Sequence, residues 1–264
     1  MISTQRIALQ TLVCMLAVVS ASTLSARADE AAPPRRSIVL VHGAFADGSC
    51  WDRVVPLLER TGVKVVSVHA PLTSLSDDVS AVRRAIDQQR GEVVLVGHSY
   101  GGAVISEAGV DPKVTRLVYV AAFVPDVGES INDLGKGQPL PPWVPTLQID
   151  SGGFAWLPLS TVLHDFAQDL PVAEGRLLAA KQGPIFAGSF DTRLQAAAWR
   201  TKPSWYLRAA SDRMIDPAAQ AFFAARMGAT LTSVESSHVV MLSHPRAVAR
   251  AILRAAGLDL NADD

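Results

Sequence analysis

Ser99 sits in Gly97-His98-Ser99-Tyr100-Gly101, after the apolar run Val93-Val94-Leu95-Val96 and before the helical pattern Gly102 to Ala108. A serine between glycines at a strand-to-helix turn is a nucleophile elbow, in which a strained tight turn lifts the hydroxyl clear of the sheet edge. A serine hydroxyl attacks only when a base takes its proton, and that base needs an acid behind it. On an open parallel sheet the three follow in the chain order nucleophile, acid, base. Two later apolar runs end in loops that fit. Asp212 follows Trp205-Tyr206-Leu207-Arg208, and His238 follows Leu231 to Glu235. Ser99, Asp212 and His238 are therefore the expected nucleophile, acid and base. Asp126, after the Val114–Ala121 run, competes for the acid role, and Asp216, before Pro217, reads as a helix N-cap.

Acyl transfer also needs two donors for the oxyanion of its tetrahedral intermediate. The backbone N–H groups of Tyr100, beside the nucleophile, and Ala44, in the loop Val41-His42-Gly43-Ala44-Phe45, are the expected pair. The other histidines carry no comparable pattern. His98 fills the variable place in the elbow, His42 fits a backbone hydrogen bond in a tight turn, and His164, in the later inserted segment, reads as a solvated helix residue within reach of substrate. No histidine pair has metal-ligand spacing, so neither a metal nor a cofactor is expected.

These residues need a scaffold of alternating strands and helices. Strands are expected at 37–41, 63–68, 92–96, 114–121, 204–208 and 229–235. Helices are expected at 51–60, 77–90 with Ser76 as N-cap, 217–227 and 245–255. Continuous apolar strands separated by helices imply a mostly parallel α/β sheet of about six strands covered on both faces. The alternation breaks from about 125 to 202, a stretch too long for a loop, which reads as an inserted cap with helices near 161–168 and 173–181. Its aromatics Trp143, Phe154, Trp156, Phe166, Phe186 and Phe190 are divided between pocket lining and the cap's own core.

The 264 residues suit one large domain, 49% hydrophobic and 19% charged, and the net charge of −1 without basic runs excludes a nucleic-acid partner. Arg6, the apolar stretch from Ile7 to Val19 and Ala26-Arg27-Ala28 read as a signal peptide spanning 1–28. That stretch falls short of the roughly 20 residues of a membrane anchor. The expected mature chain, 29–264, is exported to a periplasmic or extracellular space. It keeps Cys50 as its lone cysteine, so no internal disulfide can form.

With Val41-His-Gly-Ala-Phe45, Ser49 to Leu58, Gly97 to Gly102, Tyr119 to Asp126 and Ser237 to Leu242 in view, the chain resembles the α/β-hydrolases. Within them it is similar to the plant methylesterase and hydroxynitrile lyase group and its exported bacterial relatives. The resemblance implies the same triad and the same oxyanion donors. The lyases of that group carry threonine and lysine where this chain has Gly43 and Val239. Without that cation the resemblance implies hydrolysis of a small to medium, largely apolar carboxylic ester through an acyl-enzyme. The same triad also suits a lactonase or a cofactor-free perhydrolase of haloperoxidase type. A ligand-binding protein on a hydrolase scaffold is the reading from a different class. The partner implied is a small-molecule ester; the oligomeric state stays open.

Overall fold

The computed structural model describes residues 36–258; the expected signal peptide and its cleavage site lie outside them. Six strands form one sheet: β1 (Arg36–Val41), β2 (Lys64–Val68), β3 (Glu92–His98), β4 (Val114–Val120), β8 (Ser204–Ala209) and β9 (Thr230–Val234). Their order is β2-β1-β3-β4-β8-β9, and every pairing is parallel. Leu95 lies in register between Val39 and Leu117 at the centre. Consecutive residues Val93 to Val96 have no exposed surface, so both faces of the sheet are covered. That is why these strands are unbroken apolar runs rather than alternating ones. The helices Leu75–Asp87 and Gly101–Ala108 pack together, as do Val55–Glu59 and Pro245–Ala256.

The chain runs from β1 outward to β2, then crosses back to β3 on the other side of β1. At such a reversal, outside the carboxyl ends of β1 and β3, open α/β sheets take their ligands. The loop after β1 and the turn after β3 both end there.

Several expected boundaries shift. The 77–90 helix spans Leu75–Asp87, and its N-cap is Ser74, whose hydroxyl accepts from Asp77 N–H, rather than Ser76. Two serines two residues apart, with acidic residues after both, make the cap ambiguous in sequence. The 51–60 helix is a 3₁₀ turn, Gly48–Trp51, followed by Val55–Glu59. Pro56 at the second helical position supports this late start.

Residues 121–203 join neighbouring strands β4 and β8 outside the sheet. They contain an antiparallel trio, β5 (Gln148–Ile149), β6 (Phe154–Trp156) and β7 (Ile185–Phe186), and the helix Val172–Lys181. Where 161–168 is expected to be regular helix, a short turn Leu159–Thr161 runs into the π-helical turn Val162–Phe166.

Candidate active site

Ser99 is one of four non-glycine residues with positive φ among the described residues, at +54°, and it is 7% exposed. That left-handed conformation costs about 1 kcal/mol or more and holds only because the turn is fixed at both ends. Ser99 N–H donates to Val120 C=O, Phe123 N–H to Ser99 C=O, and Gly102 N–H to Ser99 C=O. A Cβ on Gly97 would come within 2.5 Å of Gly101 C=O, which explains the glycine at that edge of the elbow.

Asp212 and His238 meet from the ends of β8 and β9. His238 Nδ1 is 2.7 Å from Asp212 Oδ2, with both side chains essentially fully buried. The carboxylate is an acceptor, so Nδ1 carries the hydrogen and Nε2 is left with a lone pair, the tautomer a base requires. Three further donors hold Asp212: Met214 N–H and Ile215 N–H on Oδ1, and Gln220 Nε2 on Oδ2. Gln220 is fully buried and also accepts from Ala209 N–H, so it locks the acid to the strand that delivers it. Ser99 stands at the end of β3, with β4 between it and β8, and among the described residues no hydrogen bond joins it to the His238 ring. Catalytic hydrogen bonds often tighten only once substrate is bound.

Ala44 and Tyr100 flank the elbow. Among the described residues, no backbone carbonyl takes the N–H of either one. Tyr100 N–H stands where the Gly101–Ala108 helix begins, so the helix dipole favours negative charge beside it. The loop bearing Ala44 is pinned by His42, whose Nδ1 donates to Gly43 C=O and whose Nε2 accepts from Ala70 N–H. Burial pushes the His42 ring below its ordinary pKa, so it is neutral and structural, as expected from sequence. Phe45, at φ +59°, completes the bend.

The rival acid is elsewhere occupied. Asp126 Oδ2 pairs with Arg200 at 2.6 Å and Arg226 at 3.3 Å, away from the imidazole. Asp216 caps the helix Pro217–Arg226 through Ala218 N–H, as its position before proline implies. His164 is exposed, and its Nδ1 donates to Ser160 C=O. The six aromatics divide evenly. Phe166 packs on the His238 ring at 5.4 Å, Trp143 meets Phe45 edge-on, and Phe190 meets Tyr100. Phe154 and Phe186 pack on each other, and Trp156 donates to Gln148, all within the small sheet.

Sequence reasoning missed three polar residues bound to this machinery: Gln220, Asp78 and Asp169. Asp78 has no exposed surface; its Oδ2 accepts from Tyr100 Oη at 2.7 Å and its Oδ1 from Leu72 N–H. One signal existed for it. Asp78 lies four residues before Val82 and eight before Ile86, a polar residue on the apolar stripe of its helix.

Comparison with known proteins agrees with this architecture. The chain belongs to the alpha/beta hydrolase family, which it matches over residues 38–251. It is 30% identical over 246 residues to "Alpha/beta hydrolase nvfD" of Aspergillus novofumigatus, covering 84% of this chain and 96% of that one. It is 30% identical over 132 residues to Methylesterase 1 of Arabidopsis thaliana, covering 42% of this chain and 50% of that one. Its fold is similar to a crystal structure of a pyrethroid hydrolase from Sphingobium faniae JZ-2. The TM-score is 0.73 at 25% identity, over 84% of this chain and 98% of the other.

Proposed function

We propose that this member of the family is a serine esterase acting on small to medium, largely apolar carboxylic esters. The observation that carries the reading is the buried Asp212–His238 pair delivered to the same sheet rim as Ser99 in its left-handed turn. Ser99 Oγ attacks the ester carbonyl while His238 Nε2 takes its proton. The N–H groups of Ala44 and Tyr100 hold the oxyanion, and the imidazolium returns the proton to the departing alcohol. Water, activated by the same imidazole, then attacks the acyl-enzyme, releases the acid and restores Ser99. Phe45, Trp143 and Phe166 beside these groups favour an apolar acyl or alcohol portion. Relatives named as a methylesterase and a pyrethroid hydrolase support an ester substrate. The 121–203 segment serves as the cap over the site, and export with cleavage after Ala28 delivers the enzyme outside the cytoplasm.

The test is hydrolysis of p-nitrophenyl butyrate, together with labelling by a fluorophosphonate probe. Turnover and labelling are expected from the wild type and lost in Ser99→Ala. A wild type that neither turns over above that control nor labels would refute the assignment.

A further inference from the structure

The base needs more than its acid, because the main chain carrying it must also be fixed. His238 stands at the head of a loop with Ser236 at 2% exposure and Ser237 at zero. Two side chains from distant parts of the molecule grip that loop. On one side His98 Nε2 lies 3.0 Å from His238 C=O. A carbonyl only accepts, so Nε2 donates, and burial holds this ring well below its ordinary pKa and neutral. On the other side Asp169 Oδ2 accepts from Ser237 N–H at 2.9 Å and from Ser236 Oγ at 3.1 Å.

Asp169 comes from the 121–203 segment, just past the π-helical turn Val162–Phe166, where Ala167 N–H reaches back five residues to Val162 C=O. Such turns cost stability relative to regular helix and are found mostly where function needs a side chain re-aimed. Three contacts of this stretch converge on the same place. Phe166 lies on the His238 ring, Gln168 Nε2 donates to Ser211 C=O at 2.7 Å, and Arg213 donates to His164 C=O at 2.7 Å. Ser211 and Arg213 bracket Asp212. One turn of the insertion therefore holds both the acid loop and the base loop. A carboxylate suits the place: Asp169 is solvent-exposed, and partial desolvation where it meets the loop works to raise its pKa, yet the donors of Ser237, Ser243 and Ser236 outweigh that and hold it below the ordinary value.

We infer that Asp169 is a positioning residue, fixing the main chain ahead of His238 so that the imidazole is aimed at Ser99. This rests on His238 being the base, as proposed above. The expected consequence is a loss in kcat rather than in KM, because a base misplaced by about 1 Å costs on the order of 100-fold in rate.

The experiment compares wild type, Ser99→Ala, Asp169→Ala, Asp169→Asn and Asp169→Glu with p-nitrophenyl butyrate, with circular dichroism melts as the folding control. Asp169→Ala should lower kcat by about 100-fold with KM within about twofold. Asp169→Asn keeps an acceptor for Ser237 N–H and should recover at least about tenfold of that loss. Should the alanine variant not fold, Asp169→Glu carries the test: it keeps the charge, displaces the carboxylate by one methylene, and should lower kcat by about tenfold. Wild-type kcat in the alanine and glutamate variants, or a loss confined to KM, overturns the inference while leaving the esterase assignment standing. A wild type no better than Ser99→Ala overturns the assignment and this inference with it.

Discussion

At the scale of single residues the site is governed by close approach. Gly43 is a direct case: a Cβ there would stand 2.6 Å from Ser99 Cβ and 3.0 Å from His98 Nδ1. Neither neighbour can give way, since Ser99 is held in its left-handed turn and His98 is fully buried. Gly43→Ala must therefore move the loop, and with it the N–H of Ala44. Steady-state kinetics on p-nitrophenyl butyrate should show kcat reduced by about 100-fold, with KM changed far less, because an oxyanion donor acts chiefly in the transition state. Wild-type kcat in this variant would mean that Ala44 N–H is not one of the donors. The proposed triad could be named at this scale because chemistry restricts its residue types and the sheet restricts their order. Gln220, Asp169 and the contact of His98 could not. Asp169 and His98 bind backbone groups 68 and 140 residues away, and such a hydrogen bond leaves no pattern in residue types; Gln220 is only eight residues from Asp212, but a lone glutamine on a helix carries no sign of which way it faces.

The elements explain how the elbow keeps its aim. The helix Leu75–Asp87 packs against Gly101–Ala108, and Asp78 reaches from the first to Tyr100 Oη at the head of the second. That bond anchors the residue whose N–H is the second proposed oxyanion donor. Burial holds the Asp78 carboxyl above its ordinary 3.8, the hydrogen bonds from Tyr100 and Leu72 offsetting only part of the cost. The folded protein thus binds this proton more tightly than the unfolded chain. Its contribution is full below about 3.8 and declines as pH climbs through the raised value. Denaturant unfolding at pH 4 and pH 7 should show Asp78→Asn gaining stability relative to wild type at the higher pH. Asp78→Ala, which leaves Tyr100 Oη and Leu72 N–H without their acceptor, should lose about 1–3 kcal/mol. A difference between the asparagine variant and wild type that does not change with pH would contradict the burial argument. The inner strands were readable from sequence because both faces of a parallel sheet are apolar there, which marks each as a continuous run, whereas the edge strand β9 is mixed in type and largely exposed. The insertion was readable as an interruption but not in its detail. Its strands are two or three residues long, and a π-helical turn differs from regular helix by a single residue of winding.

At the scale of the whole fold, the described residues hold no disulfide and are bound together by burial. A single connected core runs from Ile38 in β1 to Ala256 in the last helix, and it includes the thiol of Cys50 at 4% exposure. Burial pushes that thiol well above its ordinary pKa, with the nearby carboxylates of Asp47 and Asp52 adding to the effect. Since the thiolate is the reactive form, Cys50 is protected twice, by inaccessibility and by protonation. If the exported form begins at Asp29, as proposed, Cys14 is gone and Cys50 has no partner within the chain. An oxidising compartment would then neither stabilise the fold by a disulfide nor damage it through this thiol. The mature protein should melt at the same temperature, within about 1 °C, with and without dithiothreitol. Iodoacetamide at pH 8 should modify Cys50 at least about 100-fold more slowly in buffer than in guanidinium chloride. Rapid alkylation of the native protein would show that the layer from Gly48 to Trp51 opens readily. That layer lies against β2 and close to the Ala44 loop, so such opening would also unsettle the oxyanion site.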